Sequence, residues 1–149
     1  MIIALESPDQ PDVRALIAAL DAYQDTLYPP ESRHALDLAS LTRANVLFAV
    51  VRNDAAEAIG CGAVVLQPDY AELKRMYVSP RDRGHGVARR LLAFLELHAR
   101  GAGCSQLRLE TGPYQPEALA LYASAGFGRC GPYGDYRDDP LSVFMQKAI

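Results

Sequence analysis

The chain has 149 residues and a mass of 16.2 kDa, 50% hydrophobic and 22% charged, which suits one domain with an ordinary core. Its longest aliphatic and aromatic run, Val46 to Val51, is far short of the roughly 20 apolar residues of a membrane span, and the first nine residues turn acidic without a basic, apolar leader, so the expected compartment is cytoplasm. The net charge of −3 is divided unevenly: four arginines against eleven acids through residue 72, and eleven Lys+Arg against seven acids after it.

Ile2 to Leu5 is a candidate first strand. Asp12 to Tyr28 sets Val13, Leu16, Ile17, Leu20, Tyr23 and Leu27 three and four apart, the stripe of an amphipathic helix that Pro29-Pro30 ends. A weaker pattern from about Ser32 to Leu41 predicts a second, short helix. Val46–Arg52 and Ala58–Gln67, separated by Asn53-Asp54, read as a hairpin, and Tyr70–Val78 as the next strand. From Val87 to about Arg100, Ala88, Leu91, Leu92, Leu95 and Ala99 form a helical face that ends at Gly101 and Gly103. Gln106–Glu110 alternates as a strand does. Pro116 fits the first position of a helix whose buried face is Ala118, Leu121, Tyr122 and Ala125, with Gly126 as its cap. Phe127–Cys130 and Leu141–Lys147 are the last strands. The order αα-βββ-α-β-α-ββ describes an α/β, mixed-sheet fold.

Cys61, Cys104 and Cys130 fit no zinc or redox spacing and read as reduced, apolar thiols, while His34, His85 and His98 stand apart, so no metal is expected. Lys74, Arg75, Arg81, Arg83, Arg89 and Arg90 crowd together with Asp82 as the one acid among them. In an acidic chain this local cluster fits a phosphate-bearing small molecule better than a nucleic acid, which needs positive charge over a broad face.

The cluster surrounds Arg81-Asp-Arg-Gly-His-Gly-Val-Ala88, between a strand ending at Val78 and a helix starting near Val87. Gly84 and Gly86 let the backbone approach a ligand, and the free N–H groups of a first helical turn stabilise a pyrophosphate. A solvated turn is the alternative. No Gly-Lys-Ser/Thr follows, and Arg89 stands where a dinucleotide fingerprint has its third glycine, so neither of those phosphate motifs applies.

The loop resembles the acyl-CoA-binding motif Gln/Arg-x-x-Gly-x-Gly/Ala of the GNAT superfamily of N-acetyltransferases, as Arg81-x-x-Gly84-x-Gly86 and again as Arg83-x-x-Gly86-x-Ala88. Glu72 to Pro80 looks like that family's fourth strand, and Leu121-Tyr122-x-x-x-Gly126-Phe127 like its late helix and following strand. The resemblance implies a central, mostly antiparallel sheet splayed between strands 4 and 5 and flanked by about four helices. It also implies acetyl-CoA as acyl donor, its pantetheine held by the main chain of Met76 and Val78. The pyrophosphate would lie on the loop that includes Arg81, Arg83, Gly84, His85, Gly86, Val87 and Ala88. The Met76 N–H would polarise the thioester carbonyl, a fixed donor where negative charge develops. Tyr122 matches the tyrosine that protonates the leaving thiolate; the alternative is a buried aromatic. Many relatives carry a pantetheine-binding asparagine before the late helix, where this chain offers Gln115 as the nearest amide.

An amine with the ordinary lysine pKa is neutral in only about one molecule in 2,500 at pH 7, so roughly 4.6 kcal/mol of deprotonation must be supplied. Glu72 is the candidate base, because even spacing would put it on one strand face with Met76 and Val78. An ion pair with Lys74 is the alternative. For the acceptor pocket the candidates are Tyr23, Tyr28 and Glu31, and the segment with Tyr133, Asp135, Tyr136, Asp138 and Asp139; the alternatives are a solvated loop for most of the acids and plain packing for the tyrosines. The expected activity is N-acetylation of a small-molecule or peptide amine by direct attack, without a cysteine intermediate. A non-catalytic acyl-CoA-binding module is the rival reading. No nucleic acid or membrane partner is expected, and a homodimer is compatible with exposed strand edges.

Overall fold

Short apolar strands alternate with three amphipathic helices, and the molecule follows that order closely. The computed structural model describes residues 1–149. Its elements are β1 (Ile2–Leu5), α1 (Pro11–Asp25), α2 (Leu38–Leu41), β2 (Val46–Arg52), β3 (Ala58–Leu66), β4 (Ala71–Val78), α3 (Val87–Gly101), β5 (Gln106–Thr111), α4 (Pro116–Ser124), β6 (Gly128–Cys130) and β7 (Val143–Ala148). The strands form one sheet in the order β1-β2-β3-β4-β5-β7-β6, antiparallel throughout except for the parallel pair β4–β5.

Each sheet face is covered by the helices whose apolar stripes were legible. On one face α3 buries Leu91, Leu92 and Leu95 against Val64, Leu73, Leu107 and Leu109, and α4 adds Tyr122. Burying each leucine stabilises the fold by about 1.5–3 kcal/mol. On the other face Val13, Leu16 and Ile17 of α1 and Leu41 of α2 cover Phe48, Val50, Cys61 and Ala63. No helix is long and apolar enough to cross a membrane.

The expected helix from Ser32 to Leu41 is divided. Pro30–Ser32 makes a 3-10 turn, and α2 is a single turn that begins only at Leu38, with the Asp37 carboxylate accepting from Ser40 N–H at 2.8 Å. Between them the chain is drawn out by tertiary contacts. Arg33 reaches Asp21 and Asp25 of α1, and the Lys74 ammonium donates to the His34 carbonyl at 2.9 Å.

Two irregularities position the site. β4 and β5 pair only at Ala71–Leu107, Glu72–Arg108 and Leu73–Leu109, and beyond Leu73 the strands part. Just past that point β4 bulges. Ala63 pairs with Lys74 and Cys61 with Tyr77, so Arg75 and Met76 both stand opposite Gly62, and Arg75 takes a left-handed conformation at φ 59°.

Candidate active site

The bulge changes which side chains share a face. Leu73 and Val78 are five positions apart, yet both belong to the core under α3, and Met76 packs there too, while Tyr77 packs on the α1 side. Glu72 and Lys74 precede the bulge and lie on the α1 side. The expectation that even spacing sets Glu72 on the face of Met76 and Val78 therefore fails, because the alternation it assumes is broken at Arg75. Glu72 is buried and lines neither cavity described below. Its Oε2 accepts from the Tyr133 hydroxyl at 2.8 Å and the Tyr136 hydroxyl at 2.5 Å, with the Lys74 ammonium 3.5 Å away. The ion pair with Lys74 is thus present, inside a larger cluster. Burial, reinforced by the Glu72 carboxylate, pushes both phenols far above the ordinary tyrosine value.

Where β4 leaves β5 a slot opens. A cavity of about 520 Å³ runs along Met76, Tyr77 and Val78, past Arg83, Gly84 and Ala88, to Gln115 and Tyr122 at α4. Ser79 N–H donates to Ile59 O at 2.8 Å, which makes that couple hydrogen-bonded and its neighbour, Gly60–Val78, the non-bonded pair. The main chain of Val78 therefore turns toward the slot. Its carbonyl accepts from Arg83 Nε at 2.9 Å, and the Arg83 guanidinium lies 5.4 Å over the Tyr77 ring.

At the slot's end stands the amino terminus of α3. The amides from Gly84 to Arg89 donate to no main-chain acceptor, since the first return bond is Arg90 N–H to Gly86 O at 3.1 Å. Gly84 and Gly86 hold φ at 82° and 78°, which turns those N–H groups outward and is open to glycine without strain. Among the expected loop residues, Arg83, Gly84 and Ala88 line the cavity. Arg81 is exposed and paired with Glu57 and Asp82, His85 and Gly86 are exposed, and the Val87 side chain is buried in the core.

A second, smaller space of about 130 Å³ joins the slot on the α1 side and shares Leu20, Met76, Gln115, Ala118 and Tyr122 with it. Its walls include Tyr28, Arg33, His34, Lys74, Arg75 and Glu110. Tyr28 is seated by a stack on Tyr114, whose N–H its hydroxyl accepts at 3.1 Å. Arg75 donates to Asp21 at 2.6 Å, and Arg33 to the same carboxylate at 3.0 Å. Burial alone would raise the Asp21 carboxyl, but the two guanidiniums outweigh it and hold the group below the usual value. Tyr122, at the junction of the two spaces, is buried, and burial alone pushes its phenol well above 10.

Of the aromatic and acidic residues expected around an acceptor, Tyr23 lines the slot and Tyr28 the smaller cavity, whereas Tyr133 and Tyr136 hold Glu72. Asp139 accepts from Ser32 and the Leu141 N–H, and Glu31, Asp135 and Asp138 line neither space. Arg75, Glu110 and His34 are cavity residues that the sequence does not signal, His34 entering there only as one of three histidines that stand apart. Arg75 faces the space through the bulge, and Glu110 and His34 meet across 76 positions of sequence. No local pattern signals either event.

Comparison with known proteins settles the family. The Acetyltransferase (GNAT) family pattern matches residues 14–127, most of the chain. The chain belongs to the GNAT family of acetyltransferases. It is 48% identical over 149 residues to a protein of Azospirillum brasilense named "IAA acetyltransferase", with 99% of this chain and 97% of that one covered. A crystal structure from Klebsiella pneumoniae, described as that of an acyl-CoA N-acyltransferase, superposes with a TM-score of 0.84 at 40% identity, covering 99% of this chain and 96% of the other. An aminoglycoside 6'-N-acetyltransferase crystallised with coenzyme A shares the fold at a TM-score of 0.75 and 15% identity, over 99% of this chain and 97% of that one. The splayed mixed sheet expected from the loop motif is thus the GNAT fold, and the chain's relatives are N-acetyltransferases.

Proposed function

We infer that the protein transfers the acetyl group of acetyl-CoA to a primary amine by direct attack of the amine nitrogen on the thioester carbonyl. The observation that carries this reading is the slot between β4 and β5, ending on the unpaired amides of Gly84 to Arg89. A long thin ligand with a diphosphate at one end fits those two features together. In this reading the main chain of Met76 and Val78 binds the pantetheine arm, with Gln115 beside it. The loop from Arg81 to Ala88, including His85 and Gly86, receives the diphosphate. When bound, acetyl-CoA supplies the activated acyl group. The Met76 N–H stabilises the oxygen that gains charge, and Tyr122 donates the proton to the departing sulfur.

The position of Tyr122, where the slot meets the smaller cavity, supports its part; burial keeps its hydroxyl protonated at neutral pH and also makes it a weaker acid, so placement beside the sulfur and not acidity carries the role. Direct attack is favoured over a cysteine intermediate by the burial of Cys61 and Cys104. Burial also pushes the Cys61 thiol up to about 12. The smaller cavity, which meets the slot at Met76 and Tyr122, is where the amine would enter.

The test is a panel of amines with acetyl-CoA, following free thiol, together with calorimetric binding of acetyl-CoA. Thiol release with at least one alkylamine is expected, and Tyr122→Phe should lower kcat by about 100-fold while leaving acetyl-CoA affinity intact. Absence of acetyl-CoA binding, or binding without thiol release from any amine, would overturn the assignment.

A further inference from the structure

With Glu72 buried beneath Tyr133 and Tyr136 and lining neither cavity, the ammonium of an acceptor needs another proton acceptor on the wall of the smaller cavity. The cations there are unsuited. Arg33 and Arg75 are permanently charged and held by Asp21, and Lys74 is committed to the His34 carbonyl and the Tyr136 hydroxyl. Glu110, on β5 just past the last β4–β5 pair, is already engaged. His34 Nδ1 lies 3.0 and 2.8 Å from its two oxygens, and the Ser142 hydroxyl donates to Oε2 at 2.7 Å. A carboxylate only accepts, so the Nδ1 of His34 carries the hydrogen and the lone pair of the neutral ring is on Nε2. No hydrogen bond of the protein uses that nitrogen, and the ring lines the same cavity as Tyr122 and Met76.

We propose that His34, oriented by Glu110, is the general base of the acetyl transfer. The assignment rests on the N-acetyltransferase reading above. His34 Nε2 takes one proton from the acceptor ammonium, and the freed nitrogen pair forms the C–N bond as the C–S bond breaks. The thiolate takes a proton from Tyr122, and the new amide loses its second N–H proton through Tyr122 or solvent. One proton is released per turnover. The imidazole is held in place from several elements. Glu110 of β5 fixes Nδ1, Lys74 of β4 fixes its carbonyl, and Tyr136 meets it edge-on with centroids 5.2 Å apart. Other charged or titratable groups near it are Arg33, its chain neighbour, and Asp139, whose carboxyl is held low chiefly by the Leu141 N–H and the Ser32 hydroxyl.

The experiment is the pH dependence of kcat/KM for wild type, His34→Ala, Glu110→Gln and Glu72→Gln on the fastest alkylamine of the panel, with acetyl-CoA affinity measured in parallel. His34→Ala should bind acetyl-CoA as wild type does and lose about 100-fold or more at pH 7. The deficit should shrink about tenfold per pH unit toward pH 9, because the neutral fraction of an amine with an ordinary pKa grows by that factor. Glu110→Gln should lose less and shift the acidic limb of the profile. A His34→Ala deficit that is independent of pH, or absent, overturns the assignment, as does a pH-rescued deficit found only in Glu72→Gln. Wild-type protein that binds acetyl-CoA and turns over no amine would instead refute the underlying enzyme reading.

Discussion

Gly112, the residue after β5, is the most tightly enclosed of the glycines. A methyl group placed there would stand 2.0 Å from the Tyr28 hydroxyl oxygen, 2.3 Å from Cζ and 2.7 Å from Cε1. A rigid ring cannot flex out of such a contact, so Gly112→Ala must unseat Tyr28, which is 8% exposed. The loss combines the hydrogen bond from Tyr114 N–H, about 0.5–1.5 kcal/mol, with re-exposure of a buried aromatic, about 1.5–3 kcal/mol. A destabilisation of about 2–4 kcal/mol follows, and for a chain of this size each kcal/mol lowers Tm by about 2–4 °C. Thermal and urea unfolding measure it directly. The same substitution made on a Tyr28→Ala background should cost less than about 0.5 kcal/mol, since the clashing ring is gone. Because Tyr28 lines the smaller cavity and not the slot, Gly112→Ala should also reduce amine turnover while retaining acetyl-CoA binding. Equal costs on the two backgrounds, or a Gly112→Ala protein as stable as wild type, would refute the steric argument.

Gly62→Ala tests the bulge: its methyl would lie 2.6 Å from Met76 Sδ and 3.0 Å from Leu95 Cδ1, so Met76 must swing into the slot. Acetyl-CoA affinity should fall and stability drop by about 1–2 kcal/mol, overpacking outweighing the gain from a stiffer unfolded chain, and unchanged calorimetry would count against it. Among the thiols, Cys61, with its pKa near 12, has only about one thiolate in ten thousand at pH 8, so iodoacetamide should label the half-buried Cys130 first. Peptide mapping that finds Cys61 alkylated as fast in the folded protein would contradict that order. Glu6 is held below its ordinary 4.5 by the hydrogen bond from Arg52, against a smaller effect of burial. A carboxyl lowered by folding contributes stability above its unfolded pKa and loses that contribution as pH falls through the folded value. Glu6→Gln should therefore be less stable than wild type by about 1 kcal/mol at pH 7, with the gap closing by pH 3, and a gap constant with pH would show that the ion pair is not its source.

How far the sequence could be read depended on the range of each signal. The three helices α1, α3 and α4 follow from spacings of three and four, and most of the stripes of α1 and α3 bury, Leu16 and Ile17 on one face and Leu91, Leu92 and Leu95 on the other. Tyr23, however, stays exposed, Leu27 lies past the end of α1, and α4 fully buries only Tyr122. The turn at Gly84 and Gly86 was also legible, because positive φ leaves a local mark in residue type. Period-two alternation failed where it was asked to carry a role, at Glu72, since one extra residue in β4 inverts every facing beyond it. The tyrosines around Glu72 and the pairing of His34 with Glu110 depend on a loop and a strand that come together only through the sheet order. Short helical propensity near Ser32 was likewise overridden by the ion pairs of Arg33.

The bulge and the splay are best understood as one structural event. β4 is bound to β5 only through Leu73, and the strand takes its extra residue at Arg75 and Met76 immediately afterwards. A bulge adds local twist, and added twist at that point carries the remainder of β4 away from β5 while its pairing with β3 continues through Val78. The two bulged residues then divide the work between the faces. Arg75 is tied down by Asp21 on α1, and Met76 lies under α3 against Gly62. Without the extra residue, the alternation would carry Met76 to the α1 face and Tyr77 to the α3 face. The main chain of Val78 would then turn toward β3 instead of the slot. The small residue at position 62 therefore helps to shape the slot proposed for acetyl-CoA without lining it, because only glycine leaves room for Met76 to fold over the partner strand.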